Sequence, residues 1–277
     1  MTFSIVARSA DGSAHGVAVA SKFLAVGAAV PAAQAGVGAI ATQSYANLAY
    51  RPQSLTLLST GVPAAGVVAG LTAADDGRDQ RQVGVVGATG DGATFTGAGC
   101  HAWAGGVTGD GFAIQGNILT GPDVVDAIRT AWLASDPADP LARRLHAALL
   151  AGDRAGGDRR GRQSAALLVV AKGQGYGGTS DVVADLRVDD HADPVLELGR
   201  LLDLHSLYFD KPDPDGLLEL TGDLAGEVGA LLAQIGHDPV PQGLDAALAD
   251  WAGIENLEER MVPGRIDPLV LAHLRAR

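Results

Sequence analysis

The sequence predicts an α+β fold, a layered sandwich with antiparallel pairing, followed by a small all-α module. The predicted strands come in hairpins and the predicted helices come in pairs, which favours a sandwich over a doubly wound parallel sheet. The stretch 210–216 is rich in proline, glycine and charge, and the residues after it have a helical periodicity of their own. We therefore predict two domains, residues 1–210 and 211–277.

Composition limits the classes of protein that fit. The chain has 277 residues, 47% of them hydrophobic, and 38 glycines, which suits one large core with a smaller appendage. Its net charge is −12, and its only group of three basic residues within four positions is Arg159, Arg160 and Arg162. Most of the surface would repel a polyanion, so nucleic acid is excluded as an expected partner.

The cysteine content and the N-terminal residues indicate the cellular compartment in which the protein is expected. The single Cys100 excludes an internal disulfide and any multi-cysteine metal site. No stretch approaches the roughly 20 apolar residues of a membrane span, and residues 1–30 have no signal-peptide pattern. We expect a cytoplasmic protein with no membrane partner.

The strands are predicted from short apolar runs bounded by turn residues. Residues 3–8 and 16–21 flank the turn-like segment 9–13 and predict a hairpin that starts at the N-terminus. A second hairpin is predicted from residue 81 to about residue 96. The other predicted strands are residues 36–43, 111–114, 164–170 and 181–188.

The helices are predicted from leucine and valine spacing and from their terminal residues. Gly61 and Pro63 separate two short helices that should cover one sheet face. A second pair is predicted from Pro122 to Trp132 and from Leu141 to Leu150, and a longer helix is predicted over 194–209. Beyond the linker, helical spacing over 224–235 and a start at Pro268 indicate a compact module of three short helices.

Several motifs together resemble the DUF1028 family of bacterial and archaeal proteins, which is placed in the N-terminal-nucleophile (Ntn) hydrolase superfamily. They are Thr2-Phe-Ser-Ile-Val-Ala-Arg, Gly16-Val-Ala-Val-Ala-Ser-Lys, Ala41-Thr-Gln, Gln115-Gly-Asn, Gly157-Asp-Arg-Arg-Gly-Arg-Gln-Ser-Ala-Ala and Asp185-Leu-Arg-Val-Asp-Asp-His. The resemblance spans about residues 2–209 and implies a four-layer αββα sandwich. The segments Ala246-Ala-Leu-Ala-Asp-Trp, Ile254-Glu-Asn-Leu-Glu-Glu-Arg and Ile266-Asp-Pro resemble a peptidoglycan-binding-like domain.

The superfamily resemblance makes Thr2 the candidate nucleophile. Once Met1 is removed, the free α-amine of Thr2 can act as the base for its own hydroxyl. The reference pKa of an α-amine, about 7.7–8.0, suits neutral pH better than that of a lysine. The alternative is that Thr2 is an ordinary first residue of a strand.

Two further residues are predicted to assist catalysis. Lys22 closes the second strand where superfamily relatives place a lysine that lowers the pKa of the threonine amine. Asn117 follows a strand and is predicted to donate an amide N–H to a developing oxyanion. The alternatives are a solvated strand-end lysine and an asparagine that satisfies a turn beside Gly116.

The remaining site candidates are predicted to bind substrate. Arg160 and Arg162 lie in a polar turn, and an arginine can bind a substrate carboxylate through two hydrogen bonds. The alternative for each arginine is a solvated loop position. The full set of substrate-binding candidates, from this turn and from the motifs of the resemblance, is Thr42, Gln43, Gln115, Arg160, Arg162, Gln163 and Ser164.

Two polar clusters are left out of the predicted site. Asp185, Asp189, Asp190 and His191 match no loop of defined metal geometry, so hydrogen bonding at a strand end and a helix cap before Pro194 are favoured. Cys100 and His101 are adjacent, so in an extended segment their side chains point to opposite faces. We predict no metal and no cofactor.

The functional hypothesis is an Ntn amidohydrolase that cleaves a C–N amide bond of a small molecule through an acyl-enzyme on Thr2. The alternative is a non-catalytic protein that keeps the fold as a binding or assembly scaffold, with the helical module recruiting a partner. The expected partner is a small-molecule substrate, and self-association into a homo-oligomer is left open.

Overall fold

The computed structural model describes residues 2–240 and 242–277. The chain divides into two compact units, one ending at Leu202 and the other formed by Asp203–Arg277. The division lies inside the helix Pro194–Phe209, so the domain boundary predicted after residue 210 stays a prediction.

The larger unit contains a six-stranded antiparallel sheet with the N-terminal strand near its centre. In spatial order its strands are β10 (Val182–Val188), β9 (Ser164–Ala171), β2 (Ala14–Ser21), β1 (Thr2–Arg8), β8 (Phe112–Asn117) and β7 (Gly105–Gly109). The predicted N-terminal hairpin is confirmed, with Phe3 opposite Ala20. On its other side β1 pairs with β8, and this register sets Thr2 opposite Asn117.

A four-stranded antiparallel sheet lies against the first. Its order is β3 (Pro31–Gln34), β4 (Gly38–Ser44), β5 (Arg81–Gly87) and β6 (Ala93–Thr96). The predicted strand at 36–43 and the predicted hairpin from residue 81 are confirmed as β4 and as β5 with β6. The sequence did not predict β3, β7 or the short helix α1 (Val26–Ala29).

Three apolar clusters hold these elements together, and side-chain alternation in the strands creates them. Phe3 and Ile5 of β1 face a cluster shared with helices, whereas Val6 faces the cluster between the two sheets. The intersheet cluster also contains Val17 and Val86. Burying each such side chain stabilises the fold by roughly 1.5–3 kcal/mol.

The helices cover the outer faces of the sheets. The helices α2 (Tyr50–Ser59) and α3 (Ala64–Ala73) share a cluster with the four-stranded sheet, and α4 (Asp123–Ala134), α5 (Leu141–Arg154) and α6 (Pro194–Phe209) share a cluster with the six-stranded sheet. All five helices were predicted from the sequence. Among the described residues, no helix is both long and apolar enough to cross a membrane.

The smaller unit is mainly helical. It contains α7 (Gly222–Gln234), α8 (Leu244–Ile254) and α9 (Pro268–Arg275), together with the two-residue strands β11 (Leu218–Glu219) and β12 (Arg265–Ile266). Its core surrounds the buried Trp251, and Asp267 caps α9 by accepting a hydrogen bond from the backbone N–H of Leu269. The three predicted helices are confirmed.

Candidate functional site

Thr2 is the first residue of β1 and is buried on both sides by strand pairing. The residue is 6% exposed, and its Oγ1 lies 3.1 Å from Oγ of Ser21 at the end of β2. The adjacent β2 therefore gives the Thr2 hydroxyl a neighbour that can donate or accept a hydrogen bond.

A network of buried amides lies behind Thr2. Gln43 Nε2 donates to the Thr2 carbonyl at 3.2 Å and to Gln82 Oε1 at 2.8 Å, while Gln43 Oε1 accepts from Ser4 Oγ. Asn117 Nδ2 donates to the same Gln82 Oε1 at 2.9 Å and to the Thr2 carbonyl at 3.5 Å. The network fixes the backbone of Thr2 from two directions.

The network also fixes which way the amides face. Gln82 Nε2 donates to the carbonyl of Gly116 at 2.7 Å, so Gln82 Oε1 must be the acceptor for its two amide neighbours. Asn117 must then present its Nδ2 to Gln82 and Thr2. As a result Asn117 Oδ1 is buried without a hydrogen-bond partner, as is Oε1 of Gln115. A buried acceptor left unpaired is costly, so a hydrogen-bond donor placed next to Asn117 Oδ1 would remove that cost.

Thr2 lies in the wall of a cleft of about 790 Å³. Three other predicted residues line the same cleft, namely Gln43, Asn117 and Arg160. Its volume suits a small molecule, and its lining combines apolar side chains with a few polar groups. The remaining lining residues are Phe23, Val26, Ala29, Val30, Ser44, Tyr45, Ala46, Leu48, Arg81, His101 and Ile118.

Backbone strain is concentrated at this cleft. Ser44 has φ of 68° and Ile118 has φ of 50°, and both line the cleft. The left-handed region is unfavourable for a β-branched residue such as Ile118 and costs about 1–3 kcal/mol at such a position. Ser44 is the last residue of β4 and follows Gln43, and Ile118 follows Asn117, the last residue of β8, so both left-handed residues lie where a strand ends at the cleft.

Arg160, which lines the same cleft as Thr2, is held by a buried carboxylate. Asp158 accepts from the backbone N–H of Lys22 at 2.7 Å and from the backbone N–H of Arg160 at 2.8 Å, and it pairs with Arg160 Nη2 at 3.3 Å. Lys22 directly follows Ser21, the partner of the Thr2 hydroxyl. The ammonium of Lys22 is exposed, bonds to the carbonyl of Arg162 and does not line the cleft.

The other predicted substrate-binding residues do not line this cleft. Thr42 and Gln115 are fully buried, and Gln115 donates to Ser4 Oγ. Arg162 pairs with Asp153 and Asp193, which keeps its pKa above the usual value, mainly through the hydrogen bond to Asp153. The backbone carbonyl of Gln163 accepts a hydrogen bond from the backbone N–H of His191.

Ser164 stabilises the segment that follows β2. Its hydroxyl donates to the carbonyl of Phe23 at 2.5 Å and accepts from the backbone N–H of Val26 at 3.1 Å. Phe23 and Val26 both line the cleft. Ser164 therefore shapes the cleft indirectly, and its predicted role in binding substrate stays a prediction.

Of the two polar clusters left out of the predicted site, one has side chains that make local contacts and the other has a member that lines the cleft. Asp185 pairs with Arg187, and His191 Nδ1 accepts from the backbone of Asp193, which are structural uses. In residues 2–240 and 242–277, no group of three or more His, Cys, Asp or Glu side chains is arranged to hold a metal ion. Cys100 Sγ lies against the carbonyl of Arg81, whereas His101 lines the cleft.

Sequence reasoning also missed Tyr45 and Arg81, which lie on segments that meet only in the folded chain. Arg81 pairs with Asp75 at 2.9 Å and donates to the carbonyl of Tyr45 at 2.5 Å. The hydrogen bond from Arg81 holds the pKa of Asp75 well below its usual value, and burial with the Asp75 hydrogen bond raises the pKa of Tyr50 to about 12. Asp75 thus stays ionised and fixes Arg81 at the cleft edge.

The fold and cleft define a class of protein: a mixed α/β unit of two antiparallel sheets, followed by a mainly helical unit. The chain belongs to the DUF1028 family, described as "Family of unknown function (DUF1028)", whose model matches residues 2–198. Residues 208–274 match a second family, described as "Putative peptidoglycan binding domain".

A solved structure supports the family assignment. Protein SPO2555 from Silicibacter pomeroyi, whose crystal structure is also attributed to DUF1028, is 30% identical, with a TM-score of 0.67. The similarity covers 82% of this chain and 92% of the other. No curated protein matches this chain.

Proposed function

We propose that the chain is an Ntn amidohydrolase in which Thr2 attacks the carbonyl of a small amide. The observation that carries the proposal is that Thr2 lines a cleft of small-molecule size, with its hydroxyl 3.1 Å from Ser21 Oγ. The order of layers, with helices outside two apposed sheets, supports the four-layer αββα sandwich of the Ntn class.

The reaction follows from the groups at Thr2. With Met1 removed, the α-amine takes the hydroxyl proton as Oγ1 bonds to the carbonyl carbon. The C–N bond then breaks, and the proton goes to the leaving amine, which leaves an ester on Thr2. Water, activated by the same amine, hydrolyses the ester to a carboxylic acid and restores Thr2.

Asn117 can serve both the amine and the oxyanion in this scheme. Its unpaired Oδ1 is a suitable acceptor for an N–H of the α-amine, because Asn117 lies opposite Thr2 in the sheet. Its Nδ2 makes a long 3.5 Å bond to the Thr2 carbonyl, which an oxyanion could replace as the acceptor. The predicted stabilising role of Asn117 therefore remains part of the proposal.

The first experiment is an intact-mass measurement of the purified protein. We expect Met1 to be removed, because the second residue is small. A dominant species that retains Met1 would contradict the mechanism, since the Thr2 nitrogen would be locked in an amide.

The second experiment traps the nucleophile with an epoxyketone, which requires both the hydroxyl and the amine of an N-terminal threonine. We expect one modification, at Thr2, that Thr2→Ala abolishes and Thr2→Ser partly keeps. Lys22→Ala should slow labelling if the lysine lowers the pKa of the amine. Thr60→Ala, at an exposed threonine after α2, is the control and should label as the wild type does.

The alternative function is the scaffold, and the labelling experiment separates the two. A processed and folded protein that the reagent does not modify would favour the scaffold, as would labelling that survives Thr2→Ala. In that case the helical unit, with its match to a binding domain, becomes the first place to look for a partner.

A further inference from the structure

Within the part of the chain that the structure describes, the lining of the Thr2 cleft contains guanidinium groups and no carboxylate. The chain carries a net charge of −12, yet the described residues that line the cleft include Arg81, Arg160 and His101 and no carboxylate. Asp158, which pairs with Arg160, is buried behind it with its side chain 2% exposed. Arg81 and Arg160 are each paired with a carboxylate that does not line the cleft, Asp75 or Asp158, so an anion in the cleft would contact guanidinium groups and no acid among these lining residues.

Arg160 is the cation placed best to bind that anion. Its side chain is 45% exposed, whereas that of Arg81 is 22% exposed and is held by Asp75. Asp158 contacts both Arg160 and the backbone of Lys22, one residue after the Ser21 that contacts Thr2. A guanidinium fixed in this way can bind a carboxylate through two parallel hydrogen bonds.

A different part of the cleft is apolar and exposed. Phe23 and Leu48 line it and are 54% and 48% exposed, and Val26 and Val30 lie deeper. These side chains come from two separate segments, the one after β2 and the one after β4. Large apolar side chains exposed at a cleft indicate that an apolar ligand group covers them.

We propose that the substrate is an N-acyl amino acid with a hydrocarbon acyl chain. The chain would lie on Phe23, Val30 and Leu48, the carboxylate of the amino acid would bind Arg160, and the amide between them would meet Thr2. This inference rests on the proposed function. Hydrolysis consumes one water and yields a fatty acid, first held as the ester on Thr2, and a free amino acid that leaves with the proton.

The test compares three substrates that differ in one feature each. They are N-octanoyl-glycine, its neutral counterpart N-octanoyl-glycinamide, and the short-chain N-acetyl-glycine, with release of the free amine as the measurement. We expect kcat/KM for N-octanoyl-glycine to exceed that for each of the others by roughly tenfold or more, because each comparison removes one charge-assisted contact or most of the apolar contact.

Matched variants assign the two preferences to residues. Arg160→Gln should abolish the preference for the acid over the amide. The control is Arg159→Gln, which changes the neighbouring exposed arginine and should keep that preference. Leu48→Gln should reduce the preference for the long chain and leave the preference for the acid. Equal kcat/KM for acid and amide in the wild type would overturn the proposal.

A binding measurement separates this inference from the proposed function. Thr2→Ala cannot turn over substrate, so its affinity for N-octanoyl-glycine and N-octanoyl-glycinamide reports the cleft alone. Tighter binding of the acid, lost in Thr2→Ala/Arg160→Gln, supports the substrate class even if Thr2 proves unreactive. If the epoxyketone modifies Thr2 but neither octanoyl compound binds or reacts, the substrate class is wrong and the nucleophile stands.

Discussion

At the scale of single residues, Gln82 is the centre of the buried amide network. Its Oε1 accepts from Gln43 and Asn117, and its Nε2 donates to the carbonyl of Gly116 and to Thr96 Oγ1. A glutamine is needed here because one side chain must both donate and accept in a place that water does not reach. Gln82 thus orients both amides that donate to the Thr2 carbonyl.

We expect Gln82→Leu to destabilise the protein by about 2–4 kcal/mol, because it leaves several buried donors and acceptors unpaired. Urea unfolding measures the change in the free energy of unfolding. Gln53→Leu removes the same group from an exposed position on α2 and should change stability by less than about 0.5 kcal/mol. Equal effects of the two variants would show that the network contributes little.

His15 is a second buried polar residue, and it predicts a pH dependence of stability. Burial lowers its pKa below the ordinary value of 6.5, Arg8 across the β1–β2 pair lowers it further, and the backbone of Gly87 offsets this only in part. Since the pKa of His15 is lower in the folded state, the unfolded chain takes up the His15 proton first as the pH falls. The contribution of His15 to the free energy of unfolding is therefore complete above pH 6.5 and is lost as the pH falls below that value.

The expected result is a melting temperature that falls between pH 7 and pH 5 in the wild type and falls less in His15→Gln. The control is His191→Gln, which changes an exposed histidine and should melt with the wild-type pH dependence. Parallel pH curves for the wild type and His15→Gln would assign the acid sensitivity to other groups.

At the scale of elements, the close approach of the two sheets depends on Gly84 of β5. A Cβ at Gly84 would lie 2.0 Å from Oε1 of Gln115, so any side chain here displaces the Gln115 amide from Ser4. We expect Gly84→Ala to destabilise the protein by about 1–3 kcal/mol and to slow labelling of Thr2. Thermal unfolding and the labelling rate measure the two effects.

The matched control for Gly84→Ala is Gly70→Ala in α3. Gly70 is exposed, and a Cβ there meets nothing within 4 Å. Alanine favours a helix interior over glycine, so this variant should be more stable than the wild type by about 0.5–1 kcal/mol. If both variants gain stability, the two sheets are more tolerant of added volume than the structure indicates.

Which elements could be predicted follows from their composition. The hairpin of β1 and β2 and the helices α2 to α6 were predicted because apolar periodicity and glycine or proline ends agree there. The strands β3 and β7 were missed because Pro31–Gln34 and Gly105–Gly109 contain few β-branched or aromatic residues. Their place in the sheets comes from tertiary pairing rather than from local preference.

The candidate site could be predicted only in part, for a related reason. Thr2, Gln43, Asn117 and Arg160 lie in motifs that carry the family resemblance, so the sequence singled them out. Tyr45, Arg81 and His101 come from three separate segments and have no local pattern. The adjacency rule that excluded Cys100 and His101 as a pair did not test whether His101 alone faces a cleft.

At the scale of the whole molecule, the boundary between the two units can be tested with fragments. The fragment ending at Asp210 should be soluble and should melt cooperatively, because it keeps all of α6 and the apolar clusters of the larger unit. Thermal melting followed by circular dichroism is the measurement. An insoluble or non-cooperative fragment would show that the helical unit is needed for the larger core.

The complementary fragments locate the boundary more finely. Within the smaller unit, Leu207 and Tyr208 pack on the Trp251 core, and Arg260 Nε donates to the Leu207 carbonyl at 2.7 Å. A fragment starting at Asp203 should therefore be more stable than one starting at Lys211 by roughly 2 kcal/mol or more. Equal stability would place the boundary after residue 210.

The pairing of β1 has a consequence for the order of events during synthesis. Thr2 and its partner Asn117 are 115 residues apart in the chain. At about 5–20 residues per second, a ribosome needs on the order of ten seconds to reach Asn117 after Thr2. Throughout that interval β8 does not exist, so the N-terminus of the nascent chain is open to an aminopeptidase. The removal of Met1 that the proposed function requires thus has a period in which it can occur before the strand that pairs with Thr2 has been made.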